Sequence, residues 1–190
     1  MAIQRERRMT VADYLEWEER QELKHEYIDG EIIEMTGGTG DHSIIKVNIL
    51  LSLGSRVNRP DYKIYNSDMR VQAAASRYVY PDLSVVRGEA AYEDESELSL
   101  LNPVFVVEVT SSSSDRRDRV DKRDYYFAVP SIEAYLIIDQ DRVHAELCTR
   151  AEERWLLQEY TSLDDVIALP ALHCELPLAQ VYLDISFEKA

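Results

Sequence analysis

One strand limits what this chain can fold into. In NPVFVVEVTSSSSDRRDRVDK, residues 102–122, five of the six residues from Val104 to Val109 are apolar and the sixth is Glu108. Alternation along an extended segment puts Val104, Val106, Glu108 and Thr110 on one face and Phe105, Val107 and Val109 on the other. Both faces are apolar, which predicts a central strand covered on two sides and a layered fold around it. An ionised carboxylate in that setting costs several kcal/mol unless a cation or a metal ion meets it. Glu108 therefore either closes the strand end in a salt bridge or faces a cleft with a partner.

A second acid stands in a comparable setting. In RYVYPDLSVV, residues 77–86, Pro81 and Asp82 lead into another apolar strand. Proline is tolerated at a strand start and not in its centre, so Asp82 is expected at a sheet margin. Pro-Asp is equally ordinary turn chemistry, and the pair taken alone leaves both readings open.

The surrounding elements can be read from caps, turns and periodicity. TVADYLEWEER predicts an N-terminal helix capped by Thr10, with Asp13 in the capping-box position. KHEYIDGEIIEM predicts a hairpin turning at Asp29-Gly30. GGTGDH reads as a loop, and DHSIIKVNILLSLGSRV as a helix with Asp41 as N-cap and Ile45, Ile49 and Leu53 on one face. KIYN, MRVQA and YPDLSVV read as strands, and the acidic GEAAYEDESEL as a solvated loop or short helix. After SSSS, a polar helix DRRDRVDKRDYYFAV is expected to stop before Pro130. EAYLIID, VHAELCT and WLLQEY continue the sheet, while YTSLDDVIALPAL and LPLAQVY are expected to be peripheral. The order predicts an α/β (α+β mixed) fold, a central mixed β-sheet flanked by helices.

Bulk properties narrow the function. A chain of 190 residues with 45% hydrophobic content suits a single domain, residues 1–190, with a real core. No apolar run reaches membrane-span length, and the charged MAIQRERRMT is not a secretory signal, so no membrane association is expected. Cys148 and Cys174 form no ligand pair or disulfide framework and are expected as reduced thiols of a cytoplasmic protein. The net charge of −15 argues against coating nucleic acid through general electrostatics, while allowing local phosphate binding. TGGTGDH lacks the lysine of a phosphate-binding P-loop, and VTSSSSD is no nucleophile elbow. His25, His144 and His173 show no ligand spacing, so no zinc site is expected. Trp17, Tyr125 and Tyr126 are expected to pack in the core or along helices.

Together, Pro81-Asp82 and the apolar strand carrying Glu108 resemble the PD-(D/E)XK nuclease superfamily, the restriction-endonuclease-like fold. There the two acids bind Mg²⁺ and a lysine follows the second acid by two positions. That position here holds Thr110. Some branches of the superfamily move the lysine to the following helix, and one of them is the Uma-two family of endonucleases. The chain is identified as a member by HEYIDGEIIEM, GDHSIIKVNILLSL, YPDLSVV, NPVFVVEVTSSSS, DRVDKRDYY and PSIEAYLIID, in that order. The resemblance implies a metal-dependent endonuclease hydrolysing DNA phosphodiester bonds. Asp82 and Glu108 match the acids that hold Mg²⁺ or Mn²⁺, Lys122 the displaced lysine, and Glu26 a further metal ligand. His42, with Arg119 of the polar helix, is expected at the substrate. A homodimer is implied by the two strands such enzymes cut.

Blander readings stand beside each assignment. Asp115, Asp118, Asp121 and Asp124 alternate with Arg116, Arg117, Arg119, Lys122 and Arg123, as on a solvated, salt-bridged helix face. Glu26 beside a hairpin can be a surface or capping acid, and His42 can cap the helix that follows. Thr110 and the net charge also motivate an alternative: a nuclease-fold binding or assembly module without catalysis.

Overall fold

The computed structural model describes residues 9–187 apart from 36, 112, 113 and 115, so the charged N-terminal octet and Asp115 lie outside the described residues. The first half of the chain forms α1 (Val11–Glu18), β1 (His25–Ile28), β2 (Glu31–Glu34), α2 (Gly40–Arg56), β3 (Tyr62–Asn66), β4 (Arg70–Ala74), β5 (Arg77–Val79) and β6 (Leu83–Arg87). Then come β7 (Ser99–Leu100), β8 (Pro103–Thr110), a π-helical turn (Arg117–Lys122) running into α3 (Arg123–Ala128), β9 (Ala134–Asp139), β10 (Ala145–Ala151) and β11 (Arg154–Tyr160). The chain closes with β12 (Val166–Leu169), a 3-10 turn (Pro170–Leu172), β13 (Cys174–Pro177) and α4 (Leu178–Val181).

Local chemistry explains most boundaries. Thr10 caps α1, its hydroxyl oxygen accepting from the Asp13 N–H at 3.2 Å and donating to the Asp13 carboxylate at 2.7 Å. Asp29 and Gly30 take positive φ of 51° and 100° between β1 and β2, which a two-residue hairpin turn of this twist demands. The N-cap of α2 is Thr39 and not Asp41, because the helix starts earlier than its apolar period suggests. The Thr39 hydroxyl accepts from the His42 N–H at 3.2 Å, leaving Asp41 in the first turn against the positive end of the helix. The acidic stretch 88–98 forms no helix.

A six-stranded sheet runs β11-β10-β9-β8-β6-β3, and a five-stranded sheet runs β2-β1-β5-β4-β7. β8 and β9 are parallel, joined by the crossover through the π-helical turn and α3, while the other pairs of the larger sheet are antiparallel. The sheets are mixed and flanked by helices, as expected. All eight residues of β8 are buried. Phe105, Val107 and Val109 pack with Ile45, Ile49 and Leu53 of α2, and Val106 packs with Tyr126 of α3 and with Tyr135 and Ile137 of β9. Each such side chain contributes roughly 1.5–3 kcal/mol of burial, which holds the charges at the strand end in place.

The C-terminal segment corrects the expectation of a peripheral role. Ile167, Leu169, Leu172, Leu176, Leu178 and Val181 are buried in the same core as α2 and β8. Pro170 and Pro177 break the segment into pieces too short to show a period, but β12, β13 and α4 lay their apolar residues on one side. Both cysteines are free thiols, Cys148 buried and Cys174 partly so. Among the described residues no helix is long and apolar enough to cross a membrane.

Candidate functional site

β6 and β8 pair with Leu83 opposite Val107. One residue further along, that antiparallel register sets Asp82 across from Glu108 with both side chains on one face. The Val109 N–H donates to Asp82 Oδ2 at 2.7 Å and fixes the carboxylate at the sheet margin. Asp82 is 9% exposed and Glu108 4%, so neither is a surface acid. They open into a cleft of about 530 Å³ that Glu26, His42, Lys46, Asp118 and Lys122 also line.

Thr110 is fully buried, its hydroxyl 3.1 Å from the Ser114 Oγ, and it serves the start of the loop that follows. Lys122 comes back from the π-helical turn instead. Its ammonium lies 2.8 Å from Glu108 Oε1, 3.2 Å from Glu26 Oε1 and 3.9 Å from Asp118 Oδ1. Tyr126, one turn on, donates to the same Glu108 Oε1 at 2.7 Å. Among the described residues no donor reaches Glu108 Oε2. The π-helical turn is wider than an α turn, a form common at functional sites. It departs from the salt-bridged face that its sequence suggests: Arg116, Asp121 and Asp124 are exposed, while Asp118 and Lys122 are buried.

Glu26 is neither a surface nor a capping acid. It is fully buried on β1, accepts the Tyr80 N–H at 3.1 Å, and pairs with Arg117 as well as Lys122. The hairpin thereby grips the residue preceding Pro81-Asp82. His42 Nε2 lies 3.2 Å from Asp82 Oδ2, and Lys46, one helical turn later, lies 3.2 Å from Oδ1. Gly38 seats the imidazole: a Cβ there would come within 2.9 Å of His42 Cγ.

The two central acids are pushed apart electrostatically. Burial pushes Glu108 up to about 8; Lys122 opposes this, and Asp118 and Asp82 add to it. Burial also works on Asp82, but His42, Lys46 and the Val109 N–H outweigh it and hold this carboxyl below its ordinary value. Burial alone would lower Lys122, yet Glu108, Glu26 and Asp118 raise it, so the ammonium keeps its proton. The two neighbouring carboxyls therefore differ in how readily they hold a proton.

Of the residues expected at the site, Asp82, Glu108, Lys122, Glu26 and His42 converge. Arg119 does not. It points to the far side of the π-helical turn and pairs with Asp139 at 2.6 Å and with Glu146. There His144 lies 3.0 Å from Asp139, and its ring comes together with Glu146 and Glu159 through the pairing of β10 and β11. No spacing in the chain reveals that group, since the contact is across strands. Lys46, Arg117 and Asp118 escape sequence reasoning at the main site. For Lys46 the available signal was its position four residues after His42 on a predicted helix.

The Uma2 model, described as "Putative restriction endonuclease", matches residues 11–180. The chain belongs to the Uma2 family. Two proteins of Synechocystis sp. (strain ATCC 27184 / PCC 6803 / Kazusa) are similar to this Uma2 chain: sll1609, 35% identical over 80% of this chain and 86% of its own length, and slr1290, 31% identical over 95% and 94%. The crystal structure of a "putative nuclease belonging to DUF820" from Anabaena variabilis ATCC 29413 superposes with a TM-score of 0.76 over 92% of this chain and 97% of that one. At 17% identity it shows a shared fold. The restriction-endonuclease-like architecture and the membership of Uma2 both stand as expected.

Proposed function

We propose that this Uma2 chain is a metal-dependent DNA endonuclease, hydrolysing phosphodiester bonds at the cleft floor. The observation that supports this reading is Lys122. A lysine from the following helical segment meets Glu108 at 2.8 Å, across the sheet from Asp82, while the strand position two residues on holds a buried threonine.

The donor set of Asp82 and Glu108 fits a hard divalent cation. Both offer carboxylate oxygens, and Glu108 Oε2 has no protein donor among the described residues, whereas Glu26, expected as a further ligand, has one oxygen taken by the Tyr80 N–H and Lys122 and the other by Arg117. Mg²⁺ or Mn²⁺ held there supplies Lewis acidity against the phosphoryl oxygens. The chain's own groups do the rest. Tyr126 and Lys122 hold Glu108 by Oε1 and leave its other oxygen without a protein donor among the described residues. His42 and the Val109 N–H hold Asp82 by Oδ2. The buried Lys122 ammonium stays protonated and stabilises negative charge as it develops on the phosphate. His42 borders the path of the DNA strand. Two copies acting together in the cytoplasm would serve the two strands of a duplex.

Purified protein with Mg²⁺ or Mn²⁺ is expected to nick supercoiled plasmid. Asp82→Asn and Glu108→Gln, which keep shape and hydrogen bonding, should each lose at least about 100-fold in rate while melting cooperatively. Undiminished nicking in both variants would remove the site assignment. A non-catalytic binding module is favoured by one feature, that Lys122 and Lys46 already neutralise Glu108 and Asp82 without a metal. Calorimetry separates the readings, because absence of Mn²⁺ binding at millimolar concentration supports the module.

A further inference from the structure

The two lysines of the cleft are held differently. Lys122 is buried among Glu108, Glu26 and Asp118 and cannot leave without stranding three acids. Among the described residues Asp82 is the one carboxylate within ion-pair distance of Lys46, with the Ser67 Oγ at 3.2 Å, and the lysine side chain is 25% exposed. It sits on Asp82 Oδ1, the oxygen that His42 and the Val109 N–H leave open. Lys24 donates to the Ser67 carbonyl at 2.8 Å on the same wall. The cleft wall carries Lys24, paired with Asp68, and Arg117, paired with Glu26, with Glu22 and Glu34 also lining it, so Lys46 is, among the described residues, the lysine there whose only close acid is a central site carboxylate.

We infer that Lys46 is a positioning residue with two alternating partners: Asp82 when the site is empty, and a backbone phosphate of the DNA strand when it is loaded. The inference rests on the metal-nuclease reading. A lysine ammonium and a divalent ion cannot share Oδ1, because like charges at ligand distance repel strongly in a partly buried site. Lys46 gives up that oxygen on loading. Its flexible stem and partial exposure let it turn outward, past Asp68, whose carboxylate Lys24 already holds, toward the substrate's phosphate. A lysine released from its acid gives an otherwise acidic protein one local point of positive charge for a polyanion. Lys46 thus keeps Asp82 neutralised at rest and competes with the metal for it.

The test uses the full chain and Lys46→Met, a change that keeps the helical stem and removes the charge. Mn²⁺ binding is measured by calorimetry without DNA. Binding of a short labelled duplex is measured in Ca²⁺ by anisotropy across a salt series. Lys46→Met should bind Mn²⁺ about tenfold more tightly, since its competitor is gone, and bind the duplex less tightly, with a salt slope shallower by about 0.9. Lys46→Arg should keep the wild-type slope. A merely structural lysine would instead weaken metal binding or leave the slope alone. If wild-type protein binds Mn²⁺ and Lys46→Met binds it no more tightly, or if the slope is unchanged, the inference fails alone. If neither protein binds Mn²⁺, the metal reading fails and takes the inference with it.

Discussion

The π-helical turn Arg117–Lys122 feeds two ion clusters of opposite character. On one side, Arg117, Asp118 and Lys122 join Glu26, Asp82 and Glu108 at the floor of a cleft. On the other, Arg119 joins Asp139, Glu146 and His144, with Arg142 2.7 Å from Asp139. The second cluster is closed: cations and acids face one another along the β9–β10 hairpin and consume each other's charge. The first gathers Glu26, Asp82, Glu108 and Asp118 around Lys122, Arg117 and Lys46, and among the described residues no donor reaches Glu108 Oε2. Alternating charges along one short segment thus serve two ends, tying the crossover down on one side and gathering acids at the cleft floor on the other.

Substitutions should separate the two. The largest effect on stability is expected from Lys122→Met without metal, which leaves Glu108, Glu26 and Asp118 buried together and should cost about 3–5 kcal/mol by denaturant unfolding. Saturating Mn²⁺ should restore much of that loss. Arg119→Ala removes a partner from two acids nearer the surface and should cost about 1–3 kcal/mol. Its nicking rate should nevertheless stay within about twofold of wild type, because the ion pairs of the two clusters run to different acids among the described residues. Equal losses of activity from both variants would erase the distinction.

A smaller and more selective effect should follow from Gly38→Ala. The added methyl meets the His42 ring, so His42 must leave Asp82. Nicking should fall by about tenfold while stability changes by less than about 1 kcal/mol. The smallest effect concerns Cys148, between the clusters on β10. Burial pushes its thiol up to about 11, with Arg123 pulling down and Glu146 adding to the rise. The thiol stays protonated below that pH, so about one in a thousand molecules is a thiolate at pH 8. In a Cys174→Ser background, alkylation should be slow at pH 8 and rise about tenfold per pH unit toward 11. Arg119→Ala should speed it a few-fold by loosening the second cluster.

Much of this was readable in the chain. The Asp29-Gly30 hairpin, the Thr10 cap and the two-faced strand around Glu108 follow from turn chemistry and alternation, which are local. The meeting of Asp82 and Glu108 needed the register of β6 on β8, which no local rule supplies; the family resemblance stood in for it. Asp118 is hidden from sequence because its charged neighbours imitate a solvated face, and only the wider π-helical turn brings it inward. Lys46 carries no local signal, because a lysine on an amphipathic helix is ordinarily solvated. The apolar residues of the C-terminal segment read as peripheral because prolines hide their shared face.

The central claim is that Lys122 does from a helical segment what the threonine at 110 cannot. The direct test is the rate of plasmid nicking by Lys122→Met, beside Arg119→Met, at saturating Mn²⁺ and at a temperature where both are folded. The account predicts a loss of at least about 100-fold for Lys122→Met and near wild-type nicking for Arg119→Met. Lys122→Met that binds Mn²⁺ and nicks as fast as wild type would contradict it.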